Sequence, residues 1–191
     1  MSVQLSLLPF KGIDKADLDN LIQDLRFLGL KVTVVEETEV PVGAYNPQRR
    51  QYRADAFLDS ARLKRGDRVL AVTNLDLYSA TLNFVFGLAE LLGKAAVISF
   101  YRLRMAADQA TFRDRAVKEA VHELGHTFGL HHCTNPECVM AFSNSLEDTN
   151  RKNREFCGLC SKKWRKFATL KSRSKPGALS RCGNIVIPAK N

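Results

Sequence analysis

The first 132 residues of this 191-residue chain contain no cysteine. All five cysteines come late, at Cys133, Cys138, Cys157, Cys160 and Cys182. A disulfide framework over most of the chain is therefore excluded. Clustered thiols with no secretory context read as thiolate metal ligands. Met1 to Phe10 has neither a basic n-region nor a full apolar h-region, so no secretory signal is visible and a cytoplasmic location is expected. No apolar run approaches the roughly 20 residues of a membrane-crossing helix, and no membrane partner is expected. Tyrosine stops at Tyr101. Acidic residues nearly stop too, since Glu155 is the only one after residue 150.

That last scarcity explains the net charge of +9. Residues 1–150 carry 17 Lys+Arg against 19 Asp+Glu, a net of −2, and residues 151–191 carry 12 against 1, a net of +11. The whole basic excess lies at the end of the chain, where it offers a contact for nucleic acid or an acidic partner, or serves as a solvated tail. Elsewhere, 45% hydrophobic and 26% charged residues are ordinary for a globular protein, and the length suffices for one domain with a sizeable core.

Strand and helix patterns alternate over the first half. Residues 3–9 read as a strand. Asp14 is placed to cap a helix over 15–28, with Leu18, Leu21, Ile22, Leu25 and Leu28 at three-and-four spacing and Gly29 closing it. Residues 31–35 predict a second strand, 37–52 a loop, 53–63 an amphipathic helix and 69–72 a third strand. The alternation argues for an α/β fold with a mostly parallel sheet. The stretch from Asp76-Leu77-Tyr78 to Asn83-Phe84-Val85-Phe86 reads as a loop leading into a hairpin of 83–89 and 95–102, which would place one antiparallel strand in the sheet. A helix from Asp108 or Thr111 to about Leu130 follows.

That last helix carries His122-Glu123-Leu124-Gly125-His126-Thr127-Phe128-Gly129-Leu130-His131-His132, which reads H-E-x-x-H-x-x-G-x-x-H. A lone H-E-x-x-H arises on ordinary amphipathic helices, but this composition yields the full pattern by chance on the order of a few times in a million. Positions four apart share a helix face, so His122 and His126 can direct both imidazoles at one ion. Gly129 lets the backbone take positive φ and turn, which brings His132 within reach. The spacing favours His132 over His131, which is expected to face solvent or substrate. Three His ligands leave a fourth tetrahedral position open for water, as a catalytic zinc requires. Glu123 points partly away from the ion and suits a base acting on that water. Beyond the third histidine, Cys133-x-x-x-x-Cys138 and Cys157-x-x-Cys160 pair four thiolates as a closed structural zinc site would. Two zinc ions per chain are expected. Cys182 stands outside the set.

From His122 to Met140, with Cys157 and Cys160, the chain resembles the archaemetzincin family of metallopeptidases, whose signature is H-E-x-x-H-x-x-G-x-x-H-C-x-x-x-x-C-x-M followed by C-x-x-C. Asp76-Leu77-Tyr78 and Asn83-Phe84-Val85-Phe86-Gly87 also look like that family's approach to its edge strand. The resemblance implies a metzincin-like α/β (α+β) fold, with a twisted mixed sheet and helices in an upper lobe and a small zinc-stabilised lower lobe. It implies that Met140 sits in a turn beneath the three imidazoles, and that an antiparallel edge strand, here 83–89, pairs with an extended peptide substrate. The expected organisation is one catalytic domain over 1–170, with an upper lobe of 1–129 and a lower lobe of 130–170, and a basic extension over 171–191. The expected activity is zinc-dependent peptide hydrolysis. A rival reading is a zinc-stabilised binding module that engages nucleic acid through Lys162-Lys163-Trp164-Arg165-Lys166-Phe167, where basic and aromatic side chains interleave. Against it, Trp164 and Phe167 at helical spacing suit packing on the lower lobe.

Overall fold

The computed structural model describes residues 3–80 and 82–171, with side chains through residue 166. Cys182 and the predicted extension beyond its first residue lie outside the described residues, as does the side chain of Phe167.

A five-stranded sheet forms the centre. It comprises β1 (Gln4–Pro9), β2 (Lys31–Val34), β5 (Arg68–Thr73), β8 (Gly87–Ala89) and β9 (Ala95–Ser99), in the order β2-β1-β5-β9-β8. The first three pairings are parallel, and β8 runs antiparallel on β9, with Gly87 opposite Ile98 and Ala89 opposite Ala96. Every residue of β5 and β9 is buried, because both sheet faces are covered. Side chains alternate between two cores. Leu5, Leu7, Leu70, Val72, Ala96 and Ile98 belong to one, together with the helices α1 (Lys15–Asp24) and α4 (Gln109–Thr127). Leu8, Val69, Ala71, Ala95 and Val97 belong to the other, against α2 (Ala54–Arg62).

Local chemistry sets the helix ends. Asp14 accepts from the backbone N–H groups of Ala16 and Asp17, as its position predicts. The helix expected to reach residue 28 changes to a 3-10 turn at Leu25–Leu28 and stops at Gly29, φ 68°. Asp108 accepts from Thr111 N–H at 2.8 Å and starts α4. Its end comes three residues earlier than the predicted Leu130. Gly129 takes φ 83°, and its own and the next amide turn back to the carbonyls of His126 and Gly125. Phe128 locks this corner between the Arg68 guanidinium, 4.1 Å from its ring centre, and Trp164, 4.3 Å away. Full burial of such a ring contributes on the order of 2 to 3 kcal/mol.

Two predicted loops are structured. Residues 37–52 contain β3 (Tyr45–Asn46) and the start of β4 (Gln51–Arg53), a hairpin with Arg50 at φ 56°. Residues 76–85 hold a second hairpin, β6 (Leu77–Ser79) with β7 (Leu82–Val85). Together they make a four-stranded sheet, β3-β4-β6-β7. The predicted single strand 83–89 is thus divided at Phe86: its first part belongs to this small sheet and only Gly87–Ala89 edges the large one. The predicted strand 95–102 ends at Ser99, whose hydroxyl accepts from Tyr101 N–H and starts the short helix α3 (Phe100–Leu103). After α4 the chain forms a turn through Met140, then α5 (Leu146–Arg151) and α6 (Gly158–Lys171).

Candidate active site

The last turns of α4 are buried on all sides, and His122 and His126 face the same point with their Nε2 atoms 3.0 Å apart. Each ring is held from behind. His122 Nδ1 donates to the carbonyl of Val139 at 2.8 Å, and His126 Nδ1 donates to that of Leu130 at 2.7 Å. A carbonyl only accepts, so the proton is assigned to Nδ1 in both rings and the Nε2 lone pairs are left facing each other. His132 arrives by the turn after Gly129, its ring centre 5.3 Å from that of His122 and 4.9 Å from that of His126. Ligand atoms of the three residues all lie within 4.8 Å of one another. Burial pushes His126 down to about 4, and pushes His122 well below and His132 below the ordinary histidine value. All three are therefore neutral at pH 7. Three buried neutral imidazoles whose lone pairs converge fit a zinc ion by donor type and protonation state.

Glu123 turns aside from this point, toward β8. A Cβ added at Gly87 would stand 2.6 Å from Glu123 Cγ and 2.8 Å from Oε1, so the strand's glycine makes room for the carboxylate. Burial raises the Glu123 carboxyl well above the usual range, and Glu119 on the preceding turn raises it further. Met140 is buried under the helix at Gly125, where a side chain would collide with its sulfur. The cleft above, with about 510 Å³ of empty volume, runs between α4 and the stretch from Phe84 to Leu88, and residues 142–144 close one end.

The four cysteines form the second cluster. Cys133, Cys138, Cys157 and Cys160 have their sulfurs within 4.8 Å of one another, and none is in a disulfide. Cys157 Sγ lies 3.8 Å from Cys133 Sγ, and its backbone N–H donates to Cys138 Sγ at 3.2 Å. The backbone N–H of Cys160 brings the Cys157 thiol down to about 7, while burial raises Cys138 and Cys160. Four neighbouring thiols with such opposed tendencies become four thiolates only around a cation, which again fits zinc.

The expected residues thus assemble as two groups of three His and four Cys, with His131 exposed beside the first. Two groups at the cleft were absent from the sequence reading, Glu119 and Lys152. Glu119 sits at i−4 from Glu123, so helical spacing could have found it. Lys152 directly follows α5, and nothing local marks it. Trp164 packs on Phe128 and on Phe156, 5.0 Å away, which leaves its ring inside the protein rather than offered to a nucleobase.

A mixed sheet with an antiparallel edge strand, a long helix presenting H-E-x-x-H, a third His after a glycine turn and a methionine floor together define a zinc metallopeptidase of the metzincin kind. The comparisons agree. The chain belongs to peptidase family M54, whose model matches residues 9–166. An archaemetzincin of Haloquadratum walsbyi is 45% identical over 140 residues, covering 69% of this chain and 81% of that protein. The crystal structure of the Methanopyrus kandleri archaemetzincin superposes with a TM-score of 0.80 at 39% identity, over 88% of this chain and 96% of that one. A zinc-dependent peptidase from Methanocorpusculum labreanum follows at 0.76 and 29% identity, over 84% and 99%. Among the described residues no helix is long and apolar enough to cross a membrane.

Proposed function

We propose that His122, His126 and His132 hold the catalytic zinc of this metallopeptidase, that Glu123 is its general base, and that Cys133, Cys138, Cys157 and Cys160 hold a second, structural zinc. The observation that carries the reading is the His122–His126 pair, with both Nδ1 atoms engaged and both Nε2 lone pairs converging. A zinc ion held by these three histidines would lower the pKa of a water from about 15.7 toward 7 and would polarise the scissile carbonyl. Glu123 accepts the proton of the attacking water at a carboxylate oxygen and passes it to the leaving amine. Burial and the neighbouring Glu119 raise its affinity for that proton. The carbonyls of Val139 and Leu130 keep the imidazoles in the required tautomer. Edge strand β8 offers backbone groups to an extended peptide, so substrates are peptide segments held with little sequence choice along the strand.

Residues 1–129 act as an upper lobe and 130–170 as a lower lobe of one catalytic domain, with 171–191 a basic extension. Division at Gly129 is supported by the end of α4 at Thr127 and by the position of all four clustered cysteines after it. Reduced thiols in that cluster suit the cytoplasm. The test is digestion of an unbiased peptide mixture by zinc-loaded protein, with a metal count. Two zinc ions per chain and cleavage lost in Glu123→Ala are expected. Equal cleavage by the metal-replete Glu123→Ala protein would overturn the assignment.

A further inference from the structure

Glu123 shares its cleft with two further charged groups. Glu119, one turn earlier on α4, is 4% exposed and lines the same cavity. Lys152 reaches in from the end of α5 and is 1% exposed. Its Nζ makes a loose ion pair with Glu119 Oε2 at 3.7 Å, beyond hydrogen-bond distance. Neither atom has a hydrogen-bond partner, and the same is true of the Ser143 hydroxyl on the cavity wall. A buried polar group left without a partner costs about 1 to 3 kcal/mol, more when charged. Three such atoms converging on one cavity beside the histidines call for something to fill them.

The lysine is held in place by a built support. Asp148 and Ser145 form a capping box at the start of α5, and Lys152 N–H donates to Asp148 O at 3.3 Å. From α4, Arg115 Nε donates to Asn150 Oδ1 at 2.8 Å and Lys118 Nζ to the carbonyl of Asn150 at 3.2 Å. The α5 end is thereby clamped to the helix that carries Glu119, and the Lys152–Glu119 separation is fixed by the fold.

We propose that Lys152, Glu119 and Ser143 form the subsite for the side chain of a substrate residue next to the scissile bond, and that this subsite selects a carboxamide, glutamine or asparagine. A carboxamide has an acceptor and a donor side by side. Its oxygen accepts from Lys152 Nζ while its NH₂ group donates to Glu119 Oε2, with Ser143 free to bond either. Lys152 already faces the carboxyl groups of both Glu119 and Glu123, so a neutral side chain brings no further charge into the pocket. A carboxylate would satisfy Lys152 but stand against Glu119, and a lysine or arginine would do the reverse. A leucine would leave all three atoms unpartnered, the penalty by which polar sites reject apolar analogues. The proposal rests on the reading of Glu123 and the three histidines as the reaction centre.

The test uses the full zinc-loaded chain. In a peptide library, glutamine or asparagine is expected to dominate one of the two positions flanking the cut bond. In matched peptides kcat/KM for glutamine over leucine there should be about tenfold or more. Lys152→Met should bring the glutamine peptide down toward the leucine one. Calorimetric binding of the same two peptides to the Glu123→Ala protein gives the ratio without turnover. Cleavage with no carboxamide preference, equal binding of the two peptides, or an unchanged ratio in folded Lys152→Met overturns the subsite. If Lys152→Met does not fold, the native profile and the binding ratio decide. Glutamine-selective binding without Glu123-dependent cleavage would instead overturn the reaction centre and leave the subsite standing.

Discussion

The histidine and cysteine clusters meet along the chain at His132 and Cys133, yet they are built in opposite ways. The histidine cluster is imposed by a scaffold. Two of its three residues ride on a 19-residue helix packed into the main core, and their rings are fixed by backbone carbonyls. The cysteine cluster is gathered from separate segments instead. Cys133 and Cys138 sit in a loop held by backbone bonds such as Cys133 N–H to the Met140 carbonyl at 2.8 Å and Val139 N–H to that of Glu155 at 3.0 Å, Cys157 and Cys160 flank the start of α6, and only Cys138 and Cys160 are buried in the main core. The first cluster lines the cleft between α4 and β8. A metal held by a preformed site can serve chemistry, whereas a metal that gathers its own loops serves folding.

Removing one ligand from the cysteine cluster should accordingly have the largest effect on the fold. Structural zinc in small domains supplies on the order of 10 kcal/mol. Cys157→Ser is expected to lose one zinc per chain, expose the segment after Gly129 to protease, and abolish activity by releasing Val139 and Met140 from under the histidines. A Cys157→Ser protein that melts like the native one would erase the contrast between the clusters. The opposite behaviour is expected of Glu123→Ala. Proton transfer by a positioned side chain contributes about 10²- to 10⁴-fold. Turnover should fall within that range while melting temperature and zinc content stay native. A concomitant loss of zinc would mean that Glu123 is a ligand.

Sequence alone revealed the histidine cluster because its information is local. One helix, its period and one glycine turn place all the ligands, and the strands β1, β5 and β9 are long enough to show their apolar runs. The cysteines were legible as a set by spacing, though nothing in the spacing shows that Cys157 N–H bonds Cys138 Sγ. What was missed is of two kinds. β3, β4, β6 and β7 are two to four residues long, too short to display a period, and their pairing is fixed by contacts such as Gln51 Nε2 to Asp76 Oδ2 at 3.0 Å. Lys152, Val139 and Leu130 act on the site from distant positions or through backbone atoms, and neither leaves a mark in a residue pattern.

Acid should separate the clusters next. His126 is held at about 4 by burial, against an ordinary 6.5 when unfolded. Between those values the unfolded chain binds a proton that the folded chain does not. In chelator-treated Glu123→Gln protein, which removes the opposing proton uptake by the raised Glu123 carboxyl, stability should therefore fall as pH drops below about 6.5, with His126 alone contributing on the order of 3 kcal/mol. His122 shifts in the same direction and steepens the loss. Denaturant melts at pH 7 and pH 4.5 measure it; a flat profile would mean that the imidazoles reach solvent in the metal-free protein.

The smallest expected effect comes from Gly87, and it sharpens what scaffolding means here. A methyl at this position meets Glu123 at Cγ, Oε1 and Cδ, so the clash runs from the middle of the side chain to its carboxylate and is not relieved by turning the end alone. Glu123 cannot step away along its own axis, because Glu119 occupies the turn before it on the same face of α4. The carboxylate must swing toward the cleft, away from its place beside the histidines. Because β8 pairs with β9 through backbone groups, Gly87→Ala leaves the ladder intact and overpacking should cost about 1 to 3 kcal/mol. A displacement of about 1 Å in a catalytic group costs on the order of 10²-fold in rate, so activity should drop by roughly that factor with zinc content native. Parallel loss of zinc would show instead that the strand supports the ligands, and full activity would show that Glu123 works from a position other than the one against Gly87.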